Sequence, residues 1–97
     1  MKKTYKLTHP KIKYARLIDA AKHDVKKYLR RERNKKLPAG MNYWDFECKY
    51  GVTETEAKAI DLSDINKSID QAQTANLESF YLEIMAVPRH HKKKEEN

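Results

Sequence analysis

IKYARLIDAAKHDVKKYLRRERNK, residues 12–35, carries the strongest periodicity in the chain. Tyr14, Leu17, Ile18, Ala21, Val25, Tyr28 and Leu29 stand at spacings 3, 4, 7, 11, 14 and 15 from the first. That is one face of a helix with a 3.6-residue period. No Gly or Pro interrupts residues 11–37, and Leu37-Pro38-Ala39-Gly40 then turns the chain. The spacing predicts a first helix over 12–35.

Either side of it the period changes to two. In residues 3–8, Tyr5 and Leu7 face one way while Thr4, Lys6 and Thr8 face the other, a half-buried strand that His9-Pro10 breaks. Residues 43–50 alternate strongly, with Trp44, Phe46, Cys48 and Tyr50 opposite Tyr43, Asp45, Glu47 and Lys49. Gly51 ends that strand, and 56–60 reads as a weaker one paired with it in a hairpin. Leu62, Ile65, Ile69 and Ala72 return to helical spacing, so a second helix is expected over 63–74, with Asn76 as its left-handed terminus. Phe80, Leu82, Ile84 and Ala86 alternate with Tyr81, Glu83, Met85 and Val87, a final strand that Pro88 should stop.

The order is β-α-β-β-α-β, which points to an α+β, ferredoxin-like sandwich: a four-stranded antiparallel sheet, spatial order 4-1-3-2, with both helices on one face. A second arrangement pairs the weak third strand differently or leaves it as a loop. Residues 1–88 form a single domain in this reading, and the polar stretch 89–97 is expected to be disordered. The expected core sets Trp44, Phe46, Phe80, Leu82 and Ile84 against Leu17, Ile18, Ala21, Val25 and Leu29.

Composition excludes several classes. The chain has 97 residues, two glycines and one cysteine, so it is neither collagen-like nor a disulfide scaffold. No apolar run approaches the roughly 20 residues of a membrane span. The basic start is followed by no apolar stretch of the kind a secretory signal needs. A soluble, cytoplasmic protein is the expectation.

The formal charge of +7 hides an asymmetry. Residues 1–36 hold 14 basic and 3 acidic groups, a balance of +11. Residues 37–88 hold 3 basic and 9 acidic groups, −6, and residues 89–97 hold 4 and 2, or +2. One half is a cation, the other a mild anion, and the cationic excess is a surface for an anionic partner.

Leu7-Thr8-His9-Pro10-Lys11, residues 27–33 (KYLRRER), Tyr43-Trp44-Asp45-Phe46 and residues 77–84 (LESFYLEI) together resemble a family of short bacterial proteins known only as a domain of unknown function. The resemblance spans nearly the whole chain except the tail. It implies a bacterial, cytosolic source and brings no activity, cofactor or catalytic residue with it.

The residues argue against catalysis. A structural zinc site takes four ligands, commonly in paired spacing, and one cysteine with His9, His23, His90 and His91 supplies no such pattern. Cys48 on an apolar strand face reads as a buried small hydrophobe. Asp45 and Glu47 share a strand face about 7 Å apart, a spacing reminiscent of paired glycosidase carboxylates. On a solvated sheet they read instead as exposed charges paired with Lys49 or Lys58. No phosphate-binding glycine loop or nucleophile elbow occurs. No enzyme, metal or cofactor is expected.

Binding is the stronger reading. Lys22, Lys26, Arg30 and Arg33 align at spacings 4, 4 and 3 along the first helix. With Lys27, Arg31, Lys35 and Lys36 they form the candidate nucleic-acid surface, RNA being the best guess, through phosphates and with little sequence readout. Base stacking on the sheet is not expected, because strands 1 and 3, the expected centre, present Thr4, Lys6, Thr8, Lys58 and Ile60 outward. The alternative is a homodimer or adaptor that uses Tyr43, Ile60, Tyr81, Met85 and Val87 of the outer sheet face. Insertion of the helix into a membrane is not expected, since its apolar face must cover the sheet.

Overall fold

The computed structural model describes residues 1–91. The elements run β1 (Lys2–Lys6), α1 (Tyr14–Arg33), β2 (Tyr43–Gly51), β3 (Lys58–Ile60), a short 3₁₀ turn (Leu62–Asp64), α2 (Ile65–Thr74) and β4 (Ser79–Arg89). The class is α+β, with one antiparallel four-stranded sheet and two helices. Both helices lie on one face of it. Ile18, Ala21 and Val25 of α1 and Ile65, Ile69 and Ala72 of α2 share a core with Tyr5, Phe46, Cys48, Phe80, Leu82 and Ile84 of the strands.

The strand order is β1-β4-β2-β3, not the expected 4-1-3-2. In the expected order β1 and β3 are central; here β4 and β2 are. The residues account for the change. β3 has three residues, none fully buried. β4 has eleven, and its consecutive Phe80, Tyr81 and Leu82 are all buried, so both faces of the strand need cover there. Only an interior strand receives that. β1 reads Lys-Lys-Thr-Tyr-Lys with a single buried side chain, the composition of an edge. β4 therefore fills the slot between β1 and β2, pairing Lys2–Lys6 on one side and Tyr43–Gly51 on the other.

Pro88 does not stop β4; the strand continues through Arg89, with Pro88 opposite Trp44. The Ile84 N–H points toward β1, where it donates to the Met1 carbonyl at 2.8 Å. By the two-residue period the backbone nitrogen of residue 88 faces the same side, beyond Lys2, where β1 begins. The missing donor thus falls on an open edge, where proline is tolerated. The domain boundary expected at 88 moves accordingly: Arg89 is sheet, and His91 donates its backbone N–H to Asn42 Oδ1 at 2.8 Å. The remainder of the predicted tail, 92–97, lies outside the described residues.

Register also corrects two side chains. Ile60 pairs with Cys48 and Lys58 with Tyr50, so both lie on the helix side of the sheet. Within the expected core Phe46, Phe80, Leu82, Ile84, Ile18, Ala21 and Val25 are buried, while Trp44, Leu17 and Leu29 are half-buried around it.

The helix ends are fastened by specific bonds. Asn76 takes the left-handed conformation, φ 54°. The Leu77 N–H donates to Ala72 O and the Asn76 N–H to Gln73 O, both at 3.0 Å, closing the C-terminal turn of α2. The Tyr14 hydroxyl donates to the Leu77 carbonyl at 2.9 Å, tying the start of α1 to the end of α2. At its other end α1 is pinned by Trp44, whose Nε1 donates to Lys35 O at 2.9 Å.

Gly51 is needed for close approach. A Cβ there would stand 2.6 Å from the Ala57 Cα, because the 52–57 loop folds back against the strand end. Gly51→Ala should destabilise the fold by about 1–3 kcal/mol, the usual cost of forcing atoms into filled space. Thermal melting of the variant checks this; an unchanged midpoint would mean that the loop moves freely off the strand.

One polar pair joins β1 to α1. The Tyr5 hydroxyl donates to Asp24 Oδ2 at 2.6 Å, and Lys3 Nζ lies 3.2 Å from the same oxygen. The Tyr5 bond, followed by Lys3, holds the Asp24 carboxyl below its usual range. A carboxylate depressed on folding contributes stability above its unfolded pKa and loses it as pH falls through the folded one. Tyr5→Phe should therefore cost about 1 kcal/mol at neutral pH and almost nothing once Asp24 is protonated. Melting temperatures of both proteins at pH 7 and through a descending series of acidic pH values test this; a difference that stays constant while Asp24 titrates would refute it.

Candidate nucleic-acid interface

The apolar face of α1 sets the direction of every cation on it. At about 100° per residue, Lys22, Arg33, Lys26 and Arg30 occupy a sector of roughly 80° on the α2 side. Lys27 and Arg31 fall on the opposite flank, beside Lys3 and Asp24 on the β1 side. The expected stripe thus exists as a ridge along one flank, and the other cations extend it around the exposed helix surface.

Two members are engaged. Lys22 is half-buried and pairs with Asp70 across the α1–α2 contact. Lys35 Nζ pairs with Glu32 Oε2 at 2.9 Å. Among the described residues Lys26, Lys27, Arg30, Arg31, Arg33 and Lys36 make no ion pair, and all six are exposed. Arg30, Arg31 and Arg33 occupy the last turn of α1, where the partial negative charge of the helix terminus favours cations. That accounts for their place at the helix end but leaves their outer atoms in water. Arg33 does more than expected of it: its guanidinium lies over the Phe46 ring, 5.3 Å from the centroid, so part of the ridge also covers the core.

The ridge borders a cleft of about 470 Å³ between α1 and the 3₁₀–α2 junction. Val25, Leu29, Leu62 and Ile65 form its apolar lining, and Lys22, Lys26 and Arg33 stand around it. The α1 wall of this cleft was legible as the helix stripe. Its other wall, with Ser63 and Asn66, depends on how α2 packs and left no signal of its own.

The outer sheet face is a different surface. Arg89 bonds Asp45 through Nε at 2.6 Å and Glu47 through an Nη at 3.0 Å, so the two carboxylates share Arg89 as their partner and are not paired with Lys49 or Lys58. The Phe46 N–H, then Arg89, lower the pKa of Asp45. Glu83 stands between Lys2 and Lys49 in register. Tyr81 is buried rather than presented: its hydroxyl donates to Glu83 at 2.8 Å, and burial followed by this bond pushes its pKa to about 12. Ile60 is turned to the helices. Of the expected apolar patch Tyr43 and Met85 are well exposed and Val87 partly so. Tyr43 stacks on His91 with centroids 5.1 Å apart. β4 and β2 are now the central strands, but they offer no open row of rings for bases, since their outward aromatics are one buried tyrosine and one capped by a histidine.

Cys48 is buried, and burial pushes its thiol to about 11, far from the thiolate that nucleophilic chemistry requires. His9 Nδ1 accepts the backbone N–H groups of Lys11 and Ile12, each at 3.0 Å, so its place is in the loop before α1. Among the described residues no three His, Cys, Asp or Glu side chains are grouped so as to hold a metal ion. No helix among them is long and apolar enough to cross a membrane.

The model of a family of unknown function, DUF6172, matches residues 1–95. No curated protein and no solved structure matches this chain.

Proposed function

The chain belongs to this family of unknown function, and we propose, from its own residues, that it is a non-catalytic RNA-binding protein of the bacterial cytoplasm. The observation that carries the reading is the separation of charge by surface. α1 and the residues just after it keep six exposed cations without an ion pair among the described residues, while on the outer sheet face Asp45 and Glu47 are held by Arg89. A convex helix of this kind meets phosphates and reaches few base edges, so binding is steep in salt and weak in sequence preference.

Fluorescence anisotropy of labelled RNA at two salt concentrations tests the proposal. Binding at low salt that weakens by about 0.7–0.9 in log K per log salt for each phosphate engaged is the expected result. Absence of binding at low salt would overturn it. A dimer or adaptor reading rests on exposed Tyr43 and Met85. Its signature would be association that responds little to salt and is lost in Met85→Glu.

A further inference from the structure

We infer that the cleft beside the cationic ridge holds one unstacked base of a single-stranded RNA, with the flanking phosphates on Lys26 and Arg33. This deepens the proposed function and rests on it. Cations alone would serve any polyanion. What distinguishes this flank is the apolar lining within reach of them: Val25 and Ile65 lie deep, and Leu29 and Leu62 are half-buried at the sides. Solvated lysines and arginines need no such lining, and a phosphate gains nothing from it.

A nucleotide carries both halves of the match. Its base has an apolar face that water releases and polar edges that must keep partners. Ser63 and Asn66, both exposed on the cleft wall, place a hydroxyl and a carboxamide where those edges would lie. At about 470 Å³ the cleft falls within the roughly 300–1,000 Å³ of pockets that hold small ligands. A duplex cannot use it, since its bases are stacked inside and only its backbone would meet α1. A single strand can turn one base out, as single-strand readers generally require. Lys22 remains on Asp70 and helps hold the α2 wall in place, so the phosphate contacts fall first to Lys26 and Arg33.

The test uses the full chain and four probes by anisotropy at one low salt concentration: an octamer of single-stranded RNA, an abasic ribose-phosphate octamer, an RNA hairpin duplex, and AMP as competitor. The single strand should bind about tenfold more tightly than the abasic oligomer and the duplex, the gain expected from taking the apolar face of one base out of water. AMP should displace it only weakly. Ser63→Leu, which puts an aliphatic side chain into the cleft from an exposed position and offers a base no ring to stack on, should bring single-strand binding down to the level of the abasic oligomer. Asn66→Leu serves the same purpose if the first variant does not fold. Equal binding of single strand, abasic oligomer and duplex would overturn the cleft while leaving polyanion binding by the ridge intact. AMP binding as tightly as the octamer would overturn the strand in favour of a free nucleotide. Failure of every probe would overturn this inference together with the proposed function.

Discussion

Phe80→Ala should lower the stability of the domain by about 3–5 kcal/mol, the range for removing a buried aromatic ring. Phe80, near the start of the interior strand β4, is fully buried. Its ring stacks on Tyr5 of β1 at 5.2 Å and meets Tyr50 of β2 at 5.7 Å, so one side chain joins three strands beneath the helices. A domain of this size has on the order of 5–15 kcal/mol in total. The variant therefore loses at least about a fifth of it and should unfold at a much lower urea midpoint. Met85→Ala on the same strand, exposed on the other face, should shift the midpoint by no more than about 0.5 kcal/mol in equivalent energy. Equal midpoints for Phe80→Ala and the unaltered protein would mean that β4 is not the interior strand.

A double reversal, Lys26→Glu with Arg30→Glu, should cut RNA affinity at low salt at least tenfold. The loss should be the same for unrelated sequences, because phosphates carry no sequence. The salt slope should flatten by about 0.7 for each single-strand phosphate contact removed. Both side chains are exposed and point away from the sheet, so the fold should survive: relief of like-charge repulsion along α1 opposes the loss of Arg30 from the helix terminus, and the melting temperature should change little. Arg33 is a poor choice for this experiment, since reversing it also strips the guanidinium from the Phe46 ring. Undiminished binding in the double variant would place the site off α1.

The period of the residues made the elements legible and left their neighbours open. Each helix and strand stands close to its expected place, and Asn76 takes the left-handed conformation its position called for. Those are local properties, set by a few consecutive side chains. Strand order is not local. The expected 4-1-3-2 follows from analogy with other β-α-β-β-α-β chains, whereas the observed order follows from which strand must hide both faces. The clue was present in Phe80-Tyr81-Leu82, where the outward Tyr81 breaks the simple alternation of an edge or half-exposed strand. The stripe on α1 was readable because it is one element seen from one side. The cleft beside it needed the α1–α2 packing, and the burial of Tyr81 needed a loop to return over the sheet, neither of which a periodicity reports. Ile60 was misplaced for a smaller reason: in a three-residue strand one step of register reverses the face.

The interior position of β4 has a consequence for the chain as it is made. Lys2 pairs with Glu83, so β1 has no sheet partner until residues 79–89 have been synthesised. Before that, β2 and β3 can form only a short hairpin, and two-stranded hairpins are marginal in water. α1 meanwhile lacks Phe80, Leu82 and Ile84, the β4 side chains at the centre of the core its apolar face packs into. The fold is thus closed by the last strand rather than built up from the first, and its dominant pairings join distant parts of the chain, which slows closure. A ribosome-bound nascent chain truncated before Ser79 should be open to proteases throughout, and protection should arrive in one step once β4 emerges. During that interval the cationic α1 segment is the part of the chain most strongly drawn to any polyanion nearby.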